Sequence, residues 1–474
     1  MMSASVAWAL LLLRVAAENP GGEDPEARVE KARLYGNMNA YAYYFTDILV
    51  GSPNPQLTSV IVDTGSHLMG FPCGGCDHCG DHLEPAINLN QSKTATWVPC
   101  SSQGCDNCHG DRCKYFEKYS EGSAIEGHLF EDYVKLGDAF QENPPVRARM
   151  GCHEYENKLF YTQRANGIMG LAPAIKGVSQ FNAAPNILDD LFRDKRHVDS
   201  RLFSICLAFW GGVLAVGGDN SEYHIGGVSW MPLQSPGYYM LQPAGMKLED
   251  RLVSTNTDDF GEAVVDTGTT LTYFPKMLYA NLIASIDSYC LLPDKCKAKR
   301  LEGHPHCWQF SGPVSEANFP TIMMRFRMTG EGEEVPWRPA GYLSKRLSNY
   351  VMCYAFAPNT QVENTILGIS WLLEKDVMFD LKNHKFGVAE ARCPEHHKVP
   401  TSLWELLQHP PWLSGRFAVH PSLWALAAIC IVLFGLRAWR PFTNAYSEVR
   451  VADIQDGCLA KDDSAQHTLF SEPI

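Results

Sequence analysis

The chain has little positive charge, and apart from one duplicated motif it shows no internal repeat, such as solenoids and propellers carry. Its 40 lysine and arginine residues stand against 53 aspartate and glutamate residues, which gives a formal net charge of −13. Proteins that bind nucleic acid cluster basic side chains on one face, so this balance argues against a nucleic-acid partner. It is compatible with a basic substrate, and 474 residues are enough to bury the cores of two lobes.

The duplicated motif is the most informative feature that is present. Residues 61–66 (IVDTGS) and 264–269 (VVDTGT) are apolar runs that end on an aspartate followed by threonine and glycine. One Asp-Thr-Gly is common by chance, but two in the same apolar setting indicate a duplicated fold. Such a fold brings the carboxyl groups of Asp63 and Asp266 together at a shared axis.

Two carboxyl groups placed in this way can hydrolyse an amide bond. At a separation of about 3 Å they cannot both ionise, so one of them keeps a proton. The charged carboxylate takes a proton from water while the neutral carboxyl group donates to the substrate carbonyl oxygen. We therefore predict that Asp63 and Asp266 are catalytic. The alternative is a pair of buried strand-end aspartates whose hydrogen bonds are only structural.

The residues beside each aspartate have predicted supporting roles. Glycine lets the backbone turn sharply and approach closely. A short hydroxyl side chain can bond an outer carboxylate oxygen, and threonine can brace the pair from behind. Gly65 and Gly268 are predicted to form the turn, and Ser66 and Thr269 to bond the outer oxygens. Thr64 and Thr267 are predicted to brace the pair.

Other motifs resemble those of pepsin-like aspartic proteases, from Tyr41 to Arg392. Residues 167–171 (GIMGL) and 366–368 (ILG) are similar to the apolar segments that back the two catalytic loops in that family. Residues 119–123 (YSEGS) resemble the flap hairpin that covers the cleft. The flap residues implied by this resemblance are Tyr119, Glu121, Gly122 and Ser123.

The resemblance implies a mainly all-β, bilobal fold of the pepsin type. The N-terminal lobe is expected at 41–205 and the C-terminal lobe at 206–393, with a cysteine-rich insert at 73–113 in the N-terminal lobe. Apolar and alternating patterns at 43–50 and 59–62 agree with this class, because they are typical of strands.

A secretory signal peptide is predicted at residues 1–17, where a short apolar run precedes small residues that suit cleavage. A leader at 18–40 follows it. A pepsin-type prosegment is longer and basic, so we expect no acid-triggered removal of a long inhibitory arm.

A membrane helix is predicted at 417–436, because a spanning helix needs about 20 apolar residues. Arg437 and Arg440 follow and favour a cytosolic tail at 437–474. Residues 394–416 are interpreted as a stalk, so the catalytic lobes would face the lumen in a single-pass type I arrangement. A buried helix is the alternative for 417–436.

Cysteine is abundant, with 16 residues, of which Cys430 falls in the predicted span and Cys458 in the predicted tail. The other 14 are an even number in an oxidising compartment, which favours disulfides. These candidates are Cys73, Cys76, Cys79, Cys100, Cys105, Cys108, Cys113, Cys152, Cys206, Cys290, Cys296, Cys307, Cys353 and Cys393.

The seven cysteines of the insert leave two interpretations open. Their Cys-x-x-Cys spacings, with His78, His82 and His109 nearby, would suit a metal site. The signal peptide favours a disulfide-stapled loop, so we predict no metal and no cofactor. The resemblance implies a bridge between Cys307 and Cys353, and Cys290 with Cys296 could close a small local loop.

The insert also places the chain within the family. A cysteine-rich insert just after the first catalytic loop is typical of the nepenthesin-type branch. Residues 71–73, 82–85 and 88–90 resemble the plasmepsin V group of apicomplexan parasites. This resemblance implies an endoplasmic-reticulum membrane protease that cuts exported polypeptides after leucine in Arg-x-Leu sequences. The oligomeric state stays open.

An arginine-reading subsite needs an acidic side chain, because a guanidinium group pairs best with a carboxylate. Glu84 in the insert and Glu121 in the flap are the candidates, and the alternative for each is a solvated surface glutamate. Two positions depart from the family pattern. Gly70 stands where many members carry a tryptophan, and His67 is interpreted as a solvent-facing spacer or as a source of pH sensitivity.

Two other functions fit parts of the sequence. A broad-specificity or sheddase-like membrane protease would use the same aspartates, and the tail has no clear KDEL-like retrieval signal. A pepsin-fold binding protein without catalysis is the second alternative. The intact Asp63, Asp266 and Tyr119 argue against it.

Overall fold

The computed structural model describes residues 28–398, apart from residues 104, 106, 174–185, 236, 313–317, 328–333 and 346–349. The strands are β1 (Glu30–Asn37), β2 (Tyr43–Val50), β3 (Gln56–Asp63), β4 (Met69–Pro72), β5 (Thr96–Trp97), β6 (Asn107–His109), β7 (Arg112–Lys118), β8 (Ala124–Leu136), β9 (Val146–Glu156), β10 (Gly167–Gly170), β11 (Leu202–Leu207), β12 (Gly212–Val216), β13 (Ser229–Pro232), β14 (Met240–Leu241), β15 (Pro243–Leu248), β16 (Arg251–Ser254), β17 (Ala263–Val265), β18 (Thr272–Pro275), β19 (Ala298–Leu301), β20 (His304–Phe310), β21 (Ile322–Phe326), β22 (Glu334–Trp337), β23 (Leu343–Lys345), β24 (Val351–Tyr354), β25 (Phe356–Asn359), β26 (Thr365–Leu367), β27 (Lys375–Asp380) and β28 (Lys385–Glu390). The α-helices are Lys158–Thr162, Ile187–Arg193, Lys276–Cys290, Pro339–Tyr342 and Ile369–Leu372, and short 3₁₀ turns lie at Leu89–Gln91, Ser221–Tyr223 and Thr257–Asp259.

The fold is mainly β, which confirms the predicted class. The largest sheet has the strand order β13-β28-β27-β11-β12-β1-β2-β3-β10-β4-β9-β8-β7-β6, with β5 added beside β8. Three smaller sheets have the orders β14-β17-β26-β18-β25, β16-β15-β21-β22 and β19-β20-β24-β23. Strands covered on both faces have continuous apolar sequences, as in Gly212–Val216, where every residue is buried.

Two parallel strand pairs position the duplicated motif. β3 runs beside β10 in the large sheet, and β17 runs beside β26 in a smaller sheet. Each motif therefore lies where the first strand of such a pair ends. The same local arrangement occurs once in each half of the chain, as the duplication predicts.

The folded part begins earlier than the sequence suggests. The predicted leader at 18–40 contains β1, which pairs with β2 on one side and β12 on the other. Ala32 and Leu34 are fully buried in the core, so residues from Glu30 onward belong to the lobe. The charged residues of this strand made it resemble exposed leader sequence. In the fold the Glu30 carboxylate is buried and is paired with His197 at 2.6 Å.

The predicted lobe boundary and stalk also meet the large sheet. The boundary at 205/206 falls inside β11, which pairs with β12 and β27. At the predicted stalk, Lys398 bonds the carboxylates of Asp47 and Glu84 in the N-terminal lobe. Residues 394–398 thus lie against the folded lobes instead of forming a free spacer.

Several predicted segments lie outside the described residues: the signal peptide, residues 18–27 of the leader, residues 399–416 of the stalk, the membrane helix and the tail. Among residues that the structure describes, no helix is long and apolar enough to span a bilayer.

All fourteen candidate cysteines form disulfides. Two bridges are the ones considered in the sequence, Cys307–Cys353 and Cys290–Cys296. The other five are Cys73–Cys152, Cys76–Cys79, Cys100–Cys108, Cys105–Cys113 and Cys206–Cys393. The insert is therefore closed on itself by three bridges and tied to β9 by a fourth.

Candidate active site

Each aspartate is held by the strand that runs beside its own. Asp63 pairs with Gly170 of β10, and the Leu171 N–H donates to the Asp63 carbonyl at 2.7 Å. In the second loop the Asp266 N–H donates to the Leu367 carbonyl at 3.1 Å. The two apolar segments recognised in the sequence thus support the two aspartates from behind.

Thr64 and Thr267 lock the two loops together in a symmetric way. The N–H of each threonine donates to the hydroxyl oxygen of the other, both at 3.0 Å. Each hydroxyl in turn donates to a carbonyl of the opposite strand, Thr64 to Val265 at 2.9 Å and Thr267 to Val62 at 2.7 Å. Both threonines are buried, so these bonds fix one loop relative to the other.

The glycines of the two loops let the carboxyl groups meet. The Gly65 N–H donates to Asp63 Oδ1 and the Gly268 N–H to Asp266 Oδ1, both at 2.8 Å. A Cβ atom on Gly65 would lie 2.6 Å from Asp266 Cγ, and one on Gly268 would lie 2.3 Å from Asp63 Oδ1. Each aspartate therefore packs on the opposite glycine, a position that no larger residue permits.

The two carboxyl groups have different surroundings. Burial raises the pKa of Asp63, which is 5% exposed, and the neighbouring Asp266 raises it further. Asp266 is partly exposed and accepts from the Thr269 hydroxyl at 2.5 Å. The Ser66 hydroxyl beside Asp63 lowers the pKa of that carboxyl group, but less than burial and Asp266 raise it. The pair holds one proton and is reached by solvent from the Asp266 side.

The flap is the turn between β7 and β8. The Tyr119 N–H donates to the Ser123 carbonyl and the Gly122 N–H to the Tyr119 carbonyl, both at 2.9 Å. Gly122 has a φ of 90°, which favours glycine. The Tyr119 ring packs on Phe160 with centroids 4.8 Å apart. Burial, followed by Glu117 and Asp63, raises the pKa of Tyr119, so its hydroxyl stays neutral beside the catalytic pair.

Glu117 is a cleft residue that the sequence interpretation missed. It lies two residues from both Tyr115 and Tyr119, so the three share the inward face of the hairpin. Glu117 makes no ion pair with a described residue. After burial, Glu117 is the largest cause of the raised pKa of both Tyr119 and Tyr238, so its charge acts on both groups. Burial raises the pKa of Glu117 itself to about 7. Its position two residues before the flap tyrosine could have shown this, because alternate residues of a strand lie on the same face.

We expect Glu117→Gln to raise stability above neutral pH. A carboxyl group with a raised pKa contributes stability that is complete below its ordinary value and is lost as the pH rises through about 7. The variant should melt about 1–3 °C above the parent at pH 8 and differ little at pH 5. The exposed Glu142→Gln is the control and should match the parent at both values. Equal melting of Glu117→Gln and the parent at pH 8 would contradict this assignment.

Glu84 does not lie free to read a substrate. Its carboxylate accepts from the Ser59 hydroxyl and from Lys398, both at 2.6 Å, and its N–H donates to Asn166 at 3.0 Å. Ser59 lies four residues before Asp63 along β3, roughly 13 Å away. The predicted arginine-reading role of Glu84 is therefore wrong, because a buried structural ion pair already uses this carboxylate.

Glu121 remains available. It lies on the exposed tip of the flap and has no ion pair with a described residue. A Cβ atom on Gly122 would lie 2.6 Å from Lys158 Nζ, so one basic group is near the same turn. Nearby, Ile125 lies in the same hydrophobic cluster as Tyr119, whereas Phe71 of β4 belongs to the main core.

His67 is not a solvent-facing spacer. It is buried, and its Nε2 lies 3.0 Å from the Gly237 carbonyl, far along the chain. Its ring meets Tyr238 at a centroid distance of 5.7 Å. Burial lowers the pKa of His67, so it is a neutral contact between the first catalytic loop and the 237–238 turn.

The cysteines of the insert offer no free thiol to a metal ion. Cys100, Cys105 and Cys108 cluster closely, but each is in a disulfide. His78 and His82 instead bond to Glu156, by its backbone carbonyl and its side chain respectively. The insert is thus built from disulfides and from histidine contacts with β9.

These features define a pepsin-like aspartic protease: two cross-bonded Asp-Thr-Gly loops, each backed by a parallel strand, under a hairpin flap. The chain belongs to the eukaryotic aspartyl protease family, whose family model matches residues 43–391. Membership confirms the predicted enzyme class, an aspartic endopeptidase acting on polypeptides.

Three relatives show where the chain lies within the family. It is 34% identical over 422 residues to aspartic protease 5 of Toxoplasma gondii, covering 77% of this chain but only 38% of that protein. It is 27% identical over 498 residues to plasmepsin V of Plasmodium falciparum, covering 85% of this chain and 80% of that protein. It is 25% identical over 375 residues to nepenthesin-2 of Nepenthes gracilis, covering 74% and 78%. The predicted placement near plasmepsin V and the nepenthesin-type enzymes is confirmed.

Proposed function

We propose that the chain is a membrane-anchored aspartic endopeptidase of the endoplasmic reticulum that cleaves secretory polypeptides after leucine in Arg-x-Leu sequences. The juxtaposition of Asp63 and Asp266, held by the cross-bonded loops, is the observation that carries the hydrolytic part. Similarity to plasmepsin V and the cysteine-rich insert support the substrate class. The apolar segment at 417–436, which lies outside the described residues, supports the anchor.

Hydrolysis follows from the asymmetry of the pair. The ionised carboxylate takes a proton from a water molecule, and the hydroxide attacks the peptide carbonyl carbon. The protonated carboxyl group donates to the carbonyl oxygen, which gives a tetrahedral diol without a covalent enzyme intermediate. Proton return to the nitrogen then lets the C–N bond break. The threonine cross-bonds keep both acids in place, so little reorganisation is needed.

Glu121 is the proposed partner of the substrate arginine, since Glu84 is already paired with Lys398. The exposed position of Glu121 at the flap tip, two residues after Tyr119, supports this proposal, because the flap covers the cleft in which a peptide would bind. A planar guanidinium group can hold a carboxylate through two parallel hydrogen bonds, whereas an ammonium group cannot.

A peptide in which lysine replaces arginine is expected to be cut at least about tenfold more slowly, measured as kcat/KM, because it loses that second bond. Glu121→Gln should slow the arginine peptide and leave the lysine peptide much less affected. The exposed Glu302→Gln serves as the control and should change neither rate. Equal rates for the arginine and lysine peptides with the parent enzyme would refute the arginine-reading proposal and leave the aspartic protease assignment intact.

Location and breadth of specificity need separate measurements. A fluorescently tagged full chain should overlap an endoplasmic-reticulum marker and stay with membranes after alkaline washing. Digestion of a peptide library by the full chain, with cut sites read by mass spectrometry, should enrich arginine two residues before the leucine. Cell-surface signal together with unselective cutting would instead favour the broad-specificity, sheddase-like alternative.

A further inference from the structure

A buried imidazole fills the space beside Gly70, behind the flap. Leu68, just before β4, faces the cluster that contains Tyr119, while Met69 and Phe71 of β4 face the main core on either side of Gly70. By alternation Gly70 faces the flap cluster. A Cβ atom on Gly70 would lie 2.6 Å from Nε2 of His153, so the histidine ring takes the volume that any side chain at position 70 would need.

His153 connects to the flap tyrosine through Phe160. The His153 and Phe160 rings meet at a centroid distance of 6.4 Å, edge to face, and Phe160 and Tyr119 meet at 4.8 Å. Phe160 is 5% exposed. Since a close-packed interior transmits small displacements, the position of the His153 ring influences the position of the Tyr119 ring through Phe160.

The backbone gives a second connection from the same segment. The Ala124 N–H donates to the Asn157 side-chain oxygen at 2.7 Å, and the Asn157 N–H donates to the Ala124 carbonyl at 3.2 Å. The Leu159 N–H donates to the Ser123 hydroxyl at 3.3 Å. The residues just after Glu156 are therefore hydrogen-bonded to the start of β8, the second strand of the flap.

Glu156 orients His153 and is itself held by the insert. Its carboxylate lies 2.7 Å from His153 Nδ1 and 3.0 Å from His82 Nε2. His82 Nδ1 in turn lies 3.0 Å from the Gln163 carbonyl, so both ring nitrogens of His82 face acceptors. The side chains of the three residues are 0–4% exposed. Burial raises the pKa of Glu156, but its two histidine partners more than offset this and lower it overall.

The insert also holds the Glu156 backbone. The Glu156 N–H donates to the His78 carbonyl at 2.8 Å, and His78 Nδ1 lies 2.6 Å from the Glu156 carbonyl. His78 lies between Cys76 and Cys79, which close a small loop by their disulfide. The disulfide-closed loop thus fixes the Glu156 backbone, and His82, three residues after that loop, fixes its side chain.

We propose that His82, Glu156 and His153 are positioning residues through which the cysteine-rich insert sets the position of the flap tyrosine over a bound peptide. None of the three touches the catalytic carboxyl groups, so they act through Phe160 and the flap. The proposal rests on the proteolytic function but does not depend on the choice of substrate arginine.

The test measures KM, because a loss of folded enzyme lowers the apparent kcat and leaves KM unchanged. His82→Gln and Glu156→Gln in the full chain are each expected to raise KM for a cleavable peptide about tenfold, with melting curves that show a folded protein. His197→Gln is the matched control, since His197 is also buried and paired with a glutamate, Glu30, away from the flap. It should leave KM unchanged.

A double-mutant cycle tests the route. If the three residues act through Tyr119, His82→Gln should raise KM less than about twofold when Tyr119 is already alanine. Parent-like KM in folded His82→Gln and Glu156→Gln would overturn the proposal, and so would a full tenfold effect in the Tyr119→Ala background. An equal rise in KM for His197→Gln would show a general effect of buried histidines and would also overturn it. Complete inactivity of the parent enzyme would instead count against the proposed function.

Discussion

Replacing Asp63 by asparagine is expected to abolish peptide hydrolysis and, at alkaline pH, to stabilise the folded protein. Asparagine cannot take a proton from water or hold the shared proton, so turnover should fall by at least about a thousandfold. The amide nearly matches the carboxyl group in size, so the contacts with Gly65 and Gly268 persist. A substrate-analogue peptide should still bind, which separates lost chemistry from lost folding.

The sign of the stability effect follows from the raised pKa of Asp63. Stability from such a group is complete below its ordinary pKa and is lost as the pH rises through the value in the folded state. Asparagine removes that loss, so the variant should melt above the parent at pH 9 and close to it at pH 4. The exposed Asp111→Asn is the control and should show no such trend. Retained turnover, or an equal gain in melting temperature at both pH values, would contradict the assignment.

The catalytic loops could be predicted because their information is local. An apolar strand, an aspartate, a hydroxyl residue and a glycine follow one another within six positions, and each of them has one role in the observed loop. The backing segments were recognisable by their resemblance to the family's motifs, and in the structure Gly170 and Gly368 lie where a loop backbone passes close by. The helix Lys276–Cys290 is similarly local, since its buried residues Leu278, Leu282, Ile286 and Tyr289 recur at intervals of three or four.

The errors concern charged residues whose partners lie far along the chain. Glu84 resembled a surface carboxylate because nothing near it in sequence shows that Lys398 lies beside it. Glu30 resembled leader sequence because its partner, His197, is equally distant. A buried charge is stable only when it is paired, so the missing information in both places was the tertiary contact that forms the pair.

The insert shows the same limit in a functional setting. Its cysteine spacings were compatible with either metal or disulfides, and only the tertiary structure pairs Cys73 with Cys152 on β9. That bridge and the histidine contacts of Glu156 make the insert part of the support behind the flap. The insert is therefore a neighbour of the active site as well as a stapled surface loop.

The second large effect is expected at Gly268. Alanine there would place its Cβ 2.3 Å from Asp63 Oδ1, closer than any real contact of this kind. Asp63 cannot move away freely, because Oδ1 accepts from the Gly65 N–H and the Thr64–Thr267 cross-bonds fix both loops. A shift of about 1 Å in a reacting group can reduce the rate about a hundredfold, so kcat should fall by at least that factor.

Gly227→Ala is the matched control for this substitution. A Cβ atom at Gly227 meets nothing within 4 Å, so alanine there should leave both kcat and melting temperature unchanged. Gly268→Ala should remain folded, since the strands that flank its loop keep their pairing with β26. A Gly268→Ala enzyme with parent-like kcat would mean that the two carboxyl groups do not meet across the loops in the way the structure places them. The effect at Gly268 therefore measures directly how closely the two halves of the chain must approach for catalysis.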